Sequence, residues 1–172
     1  MEKVICSLCE KNKTALNCGV CGCTACKYCA HILDENTFSF LSQIPAELSH
    51  GVYCPTCFAD KVAAPLEDYN QKMEKAGDID VFFKKQGKES RLIRRELDPV
   101  KVDECSDRDE LILRLAFKAV EAECNTLVDV EVNNEKIIKG SYQSTKWSGS
   151  GVPANANEKT VIHDKSFTHY PN

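Results

Sequence analysis

The spacing of apolar residues predicts a helix just after the first third of the chain. From residue 65 the apolar positions recur every three or four residues, at Leu66, Tyr69, Met73 and Ala76. This period is typical of one face of an amphipathic helix, and the following Gly77 is a common helix stop. We therefore predict a linker helix over residues 65–77. Residues 59–64 suit a short helix of their own, which Pro65 would interrupt unless it opens the next one.

A strand pattern follows this helix. Residues 79–83 are mostly apolar and predict a strand, residues 86–88 predict a turn, and residues 91–96 predict a second strand. The Asp-Pro pair that comes next bends or ends this strand before the apolar residues at 100–102. We expect the two strands to pair as the first hairpin of a C-terminal domain.

A second amphipathic helix is predicted after this hairpin. Ser106 is a favourable N-cap, and acidic residues fill the first helical turn at Asp107, Asp109 and Glu110. Apolar residues then recur on one face as far as about Cys124, and Asn125 is a suitable C-terminal stop. The pattern therefore predicts one helix of about five turns.

Two more strands are predicted after this helix. Residues 126–132 alternate between apolar and polar positions, and one side is formed by Val128, Val130 and Val132. The Asn-Asn pair at 133–134 suits a tight turn with positive φ. Residues 136–147 then return as a strand.

The order of these elements is ββαββ. Residues 78–155 are therefore predicted to form an α+β domain with an antiparallel sheet and one helix packed on it. The polar composition from Ser148 onwards predicts loose order there, and residues 156–172 are expected to form a loosely ordered tail.

The first 64 residues differ in kind, because their apolar residues are too few for a self-sufficient core. Nine of the chain's 11 cysteines lie before residue 58. Eight of them form four C-x-x-C pairs, which are Cys6/Cys9, Cys18/Cys21, Cys26/Cys29 and Cys54/Cys57. One tight turn of this spacing directs two thiolates at one metal ion, and four thiolates complete a tetrahedral zinc site. We predict a domain over residues 1–64 that folds around two Zn²⁺ ions.

The order of the pairs favours interleaved sites, an arrangement called a cross-brace. Only four residues separate the second pair from the third, which disfavours two consecutive independent sites. The first and third pairs then form site 1, with ligands Cys6, Cys9, Cys26 and Cys29. The second and fourth pairs form site 2, with ligands Cys18, Cys21, Cys54 and Cys57. Four thiolates leave no open coordination position, whereas a catalytic zinc normally keeps one for water.

Other ligand sets stay open from the sequence. Cys23 is the ninth cysteine of this region and is an alternative ligand to Cys21. His31 and His50 are further alternatives. A disulfide framework or a single redox pair is the alternative to metal, but regular pairs in a chain without a secretion signal favour metal.

The last two cysteines, Cys105 and Cys124, flank the second predicted helix. A helix of about 18 residues spans roughly 27 Å. A disulfide needs Cα atoms within about 7 Å, so this pair cannot bridge. We expect two buried thiols.

The cysteine pattern from Cys18 to Cys29, together with V-Y-C-P-T-C-F at residues 52–58, resembles the FYVE/PHD superfamily of cross-brace zinc fingers. The resemblance covers about residues 4–60 and implies a small treble-clef fold with two zinc ions. The W-x-x-D and basic signatures of phosphoinositide-binding FYVE fingers are absent, as are the His and Trp typical of PHD fingers. The spacing of RING fingers fits less well, because four residues separate Cys21 from Cys26.

Two C-terminal stretches resemble the YbjQ-like family of small bacterial domains. Residues 115–132 contain C-N-T-L-V at the start of a predicted strand, and residues 140–153 end in S-G-V-P. The resemblance covers about residues 78–155. It implies a dodecin-like ββαββ unit that assembles into an oligomer.

Charge adds one candidate surface. The net charge of −4 is mild and argues against a chain devoted to polyanions. Basic residues nevertheless cluster on the predicted hairpin, at Lys84, Lys85, Lys88, Arg91, Arg94, Arg95 and Lys101. This hairpin would bind nucleic acid or anionic lipid, or pair with the acidic helix of another subunit, or simply be solvated.

These features predict a non-enzymatic adaptor stabilised by zinc. The finger would bind a protein partner, and the C-terminal domain would form a homo-oligomer that multiplies weak contacts. The sequence has no glycine-rich phosphate loop and no G-x-S-x-G or H-E-x-x-H motif. The alternatives are ubiquitin-ligase-like docking of a carrier protein, and binding of nucleic acid or anionic lipid through residues 84–101. Without a secretion signal or a run of about 18 apolar residues, we expect a cytoplasmic protein with no membrane span.

Overall fold

The computed structural model describes residues 5–11, 15–140 and 142–157. The chain divides into two compact units, Met1–Gln71 and Lys72–Asn172. Both helices and sheets are present, which confirms the mixed class predicted from the sequence. In the described part of the chain, no helix combines the length and apolar character needed to cross a membrane. The tail predicted over residues 156–172 lies outside the described residues from residue 158 on.

Short strands and turns make up most of the N-terminal unit. Strand β1 (Ala15–Asn17) pairs antiparallel with β2 (Thr24–Cys26), and β3 (His31–Ile32) pairs antiparallel with β4 (Val52–Tyr53). A 3₁₀ turn at Ala46–Leu48 precedes β4. Two-stranded pairs of this length are not stable alone, so other forces must hold the unit together.

Helical structure begins at the last cysteine pair. Helix α1 (Pro55–Cys57) continues through a π turn at Phe58–Val62 into α2 (Ala63–Asp78). Pro65 therefore lies in the first turn of α2 and does not break the helical path. The π turn falls just ahead of Pro65, where a regular α-helix would crowd the proline ring against a carbonyl of the preceding turn.

The apolar core of the N-terminal unit is small. Tyr53 and Val62 are fully buried, and Phe38 contacts the edge of Tyr69 with 5.3 Å between ring centroids. Ile44 of the same unit is exposed. A few aromatic contacts thus surround the cysteine-rich segments.

The C-terminal unit contains a four-stranded sheet and one helix. Its elements are β5 (Asp80–Phe83), β6 (Val100–Cys105), α3 (Arg108–Glu121), β7 (Thr126–Lys139) and β8 (Tyr142–Ala154). The strand order is β5-β7-β8-β6. Strand β5 runs parallel to β7, and the other neighbours are antiparallel.

This order shows that the predicted first hairpin is wrong. Strands β5 and β6 lie at opposite edges of the sheet, and residues 91–96 do not form a strand. The chain between them packs on the sheet instead, because Ile93 is buried against Val128 and Ala154. Arg95 anchors the same segment through an ion pair with Asp129 at 2.8 Å.

Helix α3 covers a larger apolar cluster. Its Leu111, Leu115 and Ala119 pack with Leu127 and Val130 of β7. The N-cap is Asp107 and not the predicted Ser106, because the Asp107 carboxylate accepts a hydrogen bond from the Glu110 amide at 2.7 Å.

The end of α3 also differs from the prediction. The helix ends at Glu121, short of Cys124, and Glu123 takes a positive φ of 58°. The amide of Cys124 donates to the Ala119 carbonyl, which closes the final turn. Cys105 and Cys124 are buried, free thiols.

A bulge in β7 corrects the predicted alternation. Asp129 has a φ of 53°, and the pairing register with β8 shifts between Val128 and Glu131. Val128 therefore belongs to the cluster of Ile93, while Val130 belongs to the cluster of α3. The expectation that Val128, Val130 and Val132 share one side is therefore wrong. The extra residue of a bulge interrupts the alternation, so the residues after it face the side of the sheet opposite to the one that simple alternation predicts.

The turn between β7 and β8 is also later than predicted. Asn133 and Asn134 lie within β7, opposite Ser148 and Trp147, and Gly140 has the positive φ of 63° near the turn. Loose order from Ser148 is likewise wrong as far as Ala154, because this stretch pairs with both β7 and β6. A Cβ at Gly149 would lie 2.5 Å from the Glu131 carbonyl oxygen, so glycine allows the strands to meet here.

Candidate metal centre

The structure brings eight cysteine sulfurs together in two groups. Centre 1 is defined by Cys6, Cys9, Cys26 and Cys29, and centre 2 by Cys18, Cys21, Cys23 and Cys54. Within each group the four sulfur atoms lie within 4.8 Å of one another. All 11 cysteines fall in the described part of the chain, and all are free thiols. Each group could hold a metal ion.

The sulfur separations match a tetrahedral site and not a disulfide. The Sγ atoms of Cys9 and Cys26 are 3.8 Å apart in centre 1, and those of Cys21 and Cys54 are 3.8 Å apart in centre 2. A regular tetrahedron with metal–sulfur bonds of about 2.3 Å has sulfur–sulfur edges of about 3.8 Å. A disulfide bond would need a separation of about 2.05 Å.

The first two cysteine pairs have the same local fold. In each, the amide of the residue after the second cysteine donates 2.9 Å back to the first cysteine's carbonyl, from Glu10 to Cys6 and from Gly22 to Cys18. That residue has a positive φ, 56° at Glu10 and 73° at Gly22. Glycine takes this conformation freely, whereas Glu10 adopts it at a cost of roughly 1–2 kcal/mol. The two turns therefore form matching knuckles.

Of the other two pairs, Cys26/Cys29 lies on a turn and Cys54/Cys57 begins a helix. The Ala30 amide donates to the Cys26 carbonyl at 2.9 Å. Cys54 is the N-cap of α1, and its sulfur accepts a hydrogen bond from the Cys57 amide at 3.4 Å. Each centre thus combines one knuckle with at least one cysteine of a later pair.

Strand pairing explains how the centres interleave. In the β1–β2 hairpin, Cys26 lies opposite Ala15, while at the other end the Cys18 amide donates to the Cys23 carbonyl at 2.9 Å. One end of the hairpin therefore contributes Cys26 to centre 1, and the other end contributes Cys18 and Cys23 to centre 2. The Cys26 amide also donates to the Cys6 sulfur at 3.2 Å, which joins the first knuckle to β2.

Backbone amides favour the thiolate form of the first cysteine in each knuckle. The amides of Cys9 and Leu8 lower the pKa of Cys6 to about 6. Burial opposes ionisation of Cys18, but amides led by that of Cys21 outweigh it and bring its pKa to about 6. Amide donors of this kind help to offset the negative charge of a thiolate site.

The second cysteine of the later pairs has the opposite tendency. Hydrogen bonding with the Cys26 sulfur raises the pKa of Cys29 to about 12, and hydrogen bonding with the Cys54 sulfur raises that of Cys57 to about 12. Binding of a metal ion would displace the thiol protons, because the ligand form of cysteine is the thiolate.

The structure groups all the cysteines of one predicted ligand set but not all those of the other. All four cysteines of site 1 meet in centre 1. Three of the cysteines of site 2 meet in centre 2, where Cys23 completes the group of four. Cys57 lies beside this group, bonded through its amide to the Cys54 sulfur. The sequence had proposed Cys23 as a replacement for Cys21, but both belong to the observed group.

The two candidate histidines have other surroundings. Neither belongs to a four-thiol group. The ring of His31 stacks on Phe58 with 4.0 Å between centroids. The ring of His50 lies over Gly19, where a Cβ would come within 2.3 Å of it. Both rings therefore have packing roles next to the cysteine turns.

Apolar side chains around centre 1 were missed by the sequence reasoning. Leu8 lies between the cysteines of the first knuckle and is 45% exposed, and neighbouring Ile5 is 55% exposed. Tyr28 lies between Cys26 and Cys29 and is 71% exposed. We call Ile5, Leu8 and Tyr28 the apolar rim. The signal in the sequence was their position inside or next to C-x-x-C pairs. A turn that directs two cysteine sulfurs at one point leaves the residues between them on its outer side.

Three of the seven basic residues in the segment 84–101 form ion pairs. Lys84 pairs with Glu131, Arg95 with Asp129 at 2.8 Å, and Arg94 loosely with Glu96 at 3.7 Å. Arg95 also donates to the backbone carbonyls of Ser90 and Ile93. These contacts hold the segment on the sheet and reduce the positive charge that it offers to a ligand.

Comparison with known proteins adds no relative. No protein-family model matches the chain, and no curated protein or solved structure matches it either.

Proposed function

We propose that this chain is a non-enzymatic adaptor whose N-terminal unit is built on two zinc ions and binds a protein partner. The observation that carries the proposal is the pair of four-thiol groups with sulfur separations of 3.8 Å. Tetrahedral thiolate sets select zinc or iron–sulfur clusters, and closed Cys₄ sites joined to knuckles are typical of structural zinc. Ligands for one ion are Cys6, Cys9, Cys26 and Cys29.

A closed site supports a structural role. Four sulfurs occupy every corner of the tetrahedron, so no position is left for a water nucleophile or a substrate oxygen. The small core around Tyr53 and Val62 needs such support. The meeting of each knuckle with a later cysteine pair, one of which begins a helix at Cys54, is consistent with a cross-brace of treble-clef type, the fold expected from the sequence.

The apolar rim is the proposed partner surface. Ile5, Leu8 and Tyr28 expose apolar side chains beside one centre, where the metal would hold their backbone in a fixed shape. The Lys27 ammonium lies 5.1 Å from the centre of the Tyr28 ring, which adds a positive charge to the same surface. A rigid apolar patch with a charged border is typical of protein interfaces.

The C-terminal unit is the proposed oligomerisation module. Strands β7 and β8 have 14 and 13 residues, whereas the edge strands β5 and β6 have four and six. Neither edge strand follows the β7–β8 ribbon to its tip, where Ile138 is 71% exposed. Unpaired strand edges of this kind favour pairing with another copy. Oligomerisation would multiply weak contacts of the rim.

The experiment compares rim variants with a matched control on full-length protein. Leu8→Asp should abolish capture of the partner by immobilised protein while leaving zinc content unchanged. The control is Leu92→Asp, because Leu92 is 52% exposed but lies in the C-terminal unit. Loss of capture in the control but not in Leu8→Asp would contradict the proposed surface. A finding that purified wild-type protein contains no zinc would contradict the proposed fold.

The rim also suits one alternative function. An exposed leucine within a knuckle could dock a ubiquitin-carrying protein, and transfer of ubiquitin by purified components would then replace simple capture as the observed activity. Binding of nucleic acid or anionic lipid through residues 84–101 has less support, because Lys84 and Arg95 are paired with acidic residues of β7.

A further inference from the structure

Five cysteines lie in or beside centre 2, one more than a tetrahedral ion can use. Cys18, Cys21 and Cys54 form a shared trio. Cys23 completes a group of four with this trio, all sulfurs lying within 4.8 Å. Cys57 lies beside the trio, because its amide donates a hydrogen bond to the Cys54 sulfur at 3.4 Å within α1. Centre 1 contains four cysteines and no fifth.

Both extra thiols are held by backbone structure and are not accidental neighbours. The Cys23 carbonyl accepts a hydrogen bond from the Cys18 amide at 2.9 Å, which fixes Cys23 opposite Cys18 in the hairpin. Cys57 lies in α1, and its amide donates to the Cys54 sulfur at 3.4 Å. Two separate elements therefore present a thiol to the same three sulfurs.

The surroundings leave room for both arrangements. Cys21 is exposed, and Cys23 and Cys57 are each partly exposed. Gly22, which precedes Cys23, has open space where a Cβ would stand. In centre 1, two cysteines are buried and two are partly exposed.

We propose that Cys23 and Cys57 are alternative fourth ligands of one zinc ion at centre 2. The proposal rests on the zinc assignment made above. In the exchange, the bond from zinc to one sulfur forms as the bond to the other breaks. The entering thiol gives up its proton and the leaving thiolate takes one up, so the charge of the centre is unchanged. At any moment one of the two is a free thiol beside a filled site.

The first test measures zinc per full-length chain by native mass spectrometry. Wild type, Cys23→Ser and Cys57→Ser should each retain about two ions, and the double variant should retain about one. Cys29→Ser is the control, because centre 1 has no substitute thiol and should lose its ion. A single variant, Cys23→Ser or Cys57→Ser, that falls to about one ion as Cys29→Ser does would overturn the proposal.

The second test needs no variant and so does not depend on altered chains folding. A maleimide reacts with the free thiol of zinc-loaded wild-type protein, and peptide mapping locates the label. Label should appear on both Cys23 and Cys57, each at partial occupancy, with a sum near one per chain. Label confined to one of them shows a fixed ligand set and overturns the proposal.

The outcomes separate this proposal from the assignment of zinc itself. Wild-type protein that binds no zinc removes both. Wild-type protein with two ions and a fixed ligand set removes only the exchange.

Discussion

The two units of this chain solve the same stability problem by different means. The C-terminal unit buries Leu111, Leu115 and Leu127 between α3 and the sheet, as ordinary globular domains do. The N-terminal unit has strands of two or three residues and a handful of buried aromatic rings, and it gathers eight sulfurs in two groups instead. The comparison teaches that two units of one chain can gather different things, an apolar core in one and groups of thiols that could hold metal ions in the other.

Metal removal is the change with the largest expected effect. A strong chelator should unfold the N-terminal unit and leave the C-terminal unit folded, because structural zinc contributes roughly 10–16 kcal/mol in zinc-finger peptides. Hydrogen exchange with peptide resolution measures this directly. Protection should vanish over residues 15–57 and persist over β7 and β8. Persistence of protection in both units would show that the N-terminal unit does not need metal.

A core truncation should produce the reverse pattern. Leu115 of α3 is fully buried, so Leu115→Ala should cost about 2–5 kcal/mol of unfolding free energy in the C-terminal unit. Zinc content should stay at the wild-type value. Urea unfolding followed by Trp147 fluorescence measures the loss, and Leu92→Ala is the exposed control. A loss of zinc in Leu115→Ala would contradict this prediction, because it would show that zinc binding by the N-terminal unit depends on the core of the C-terminal unit.

The smallest expected effect concerns the ion pair that anchors the segment before β6. The hydrogen bond from Arg95 lowers the pKa of Asp129. Asp129→Asn keeps a residue that tolerates the positive φ and should cost about 0.5–1 kcal/mol near neutral pH. Arg94→Met, which removes an exposed and looser pair, should cost nothing measurable.

The pH dependence of this effect has a defined sign. Because the folded pKa of Asp129 is lower than its unfolded value of about 3.9, the stability from the pair is complete above the unfolded value. It is lost as pH falls through the folded pKa. The difference in stability between wild type and Asp129→Asn should therefore disappear in acid, and a difference that grows in acid would contradict this assignment.

Sequence reasoning was most successful where the chemistry is local. The C-x-x-C spacing already implied thiol groups of four, and Cys6, Cys9, Cys26 and Cys29 meet in one of them. Helix periodicity likewise anticipated α2 and α3 within a few residues. Both signals depend on residues close together in the chain, whose geometry follows from turn and helix dimensions.

The errors share a different origin, since they depend on residues distant in sequence. The first hairpin was wrong because β5 pairs with β7, a strand more than 40 residues later. The turn at Asn133 was wrong because β8 continues the pairing to residue 139. The prediction that Val128 and Val130 share a face was wrong because β7 has a bulge at Asp129, whose carboxylate pairs with Arg95. Local propensity is too weak to overcome such pairing.

The sequence by itself determined that this protein has a cysteine-rich unit suited to metal, followed by a mixed unit with an apolar core. The reason is that ligand spacing and apolar content are properties of composition and short range. Only the tertiary structure decided the mixed sheet order, the two faces of β7 and the presence of both Cys23 and Cys57 beside one trio of sulfurs. These features arise from contacts between segments that are distant in the sequence, and packing in three dimensions sets such contacts, whereas short-range spacing does not specify them.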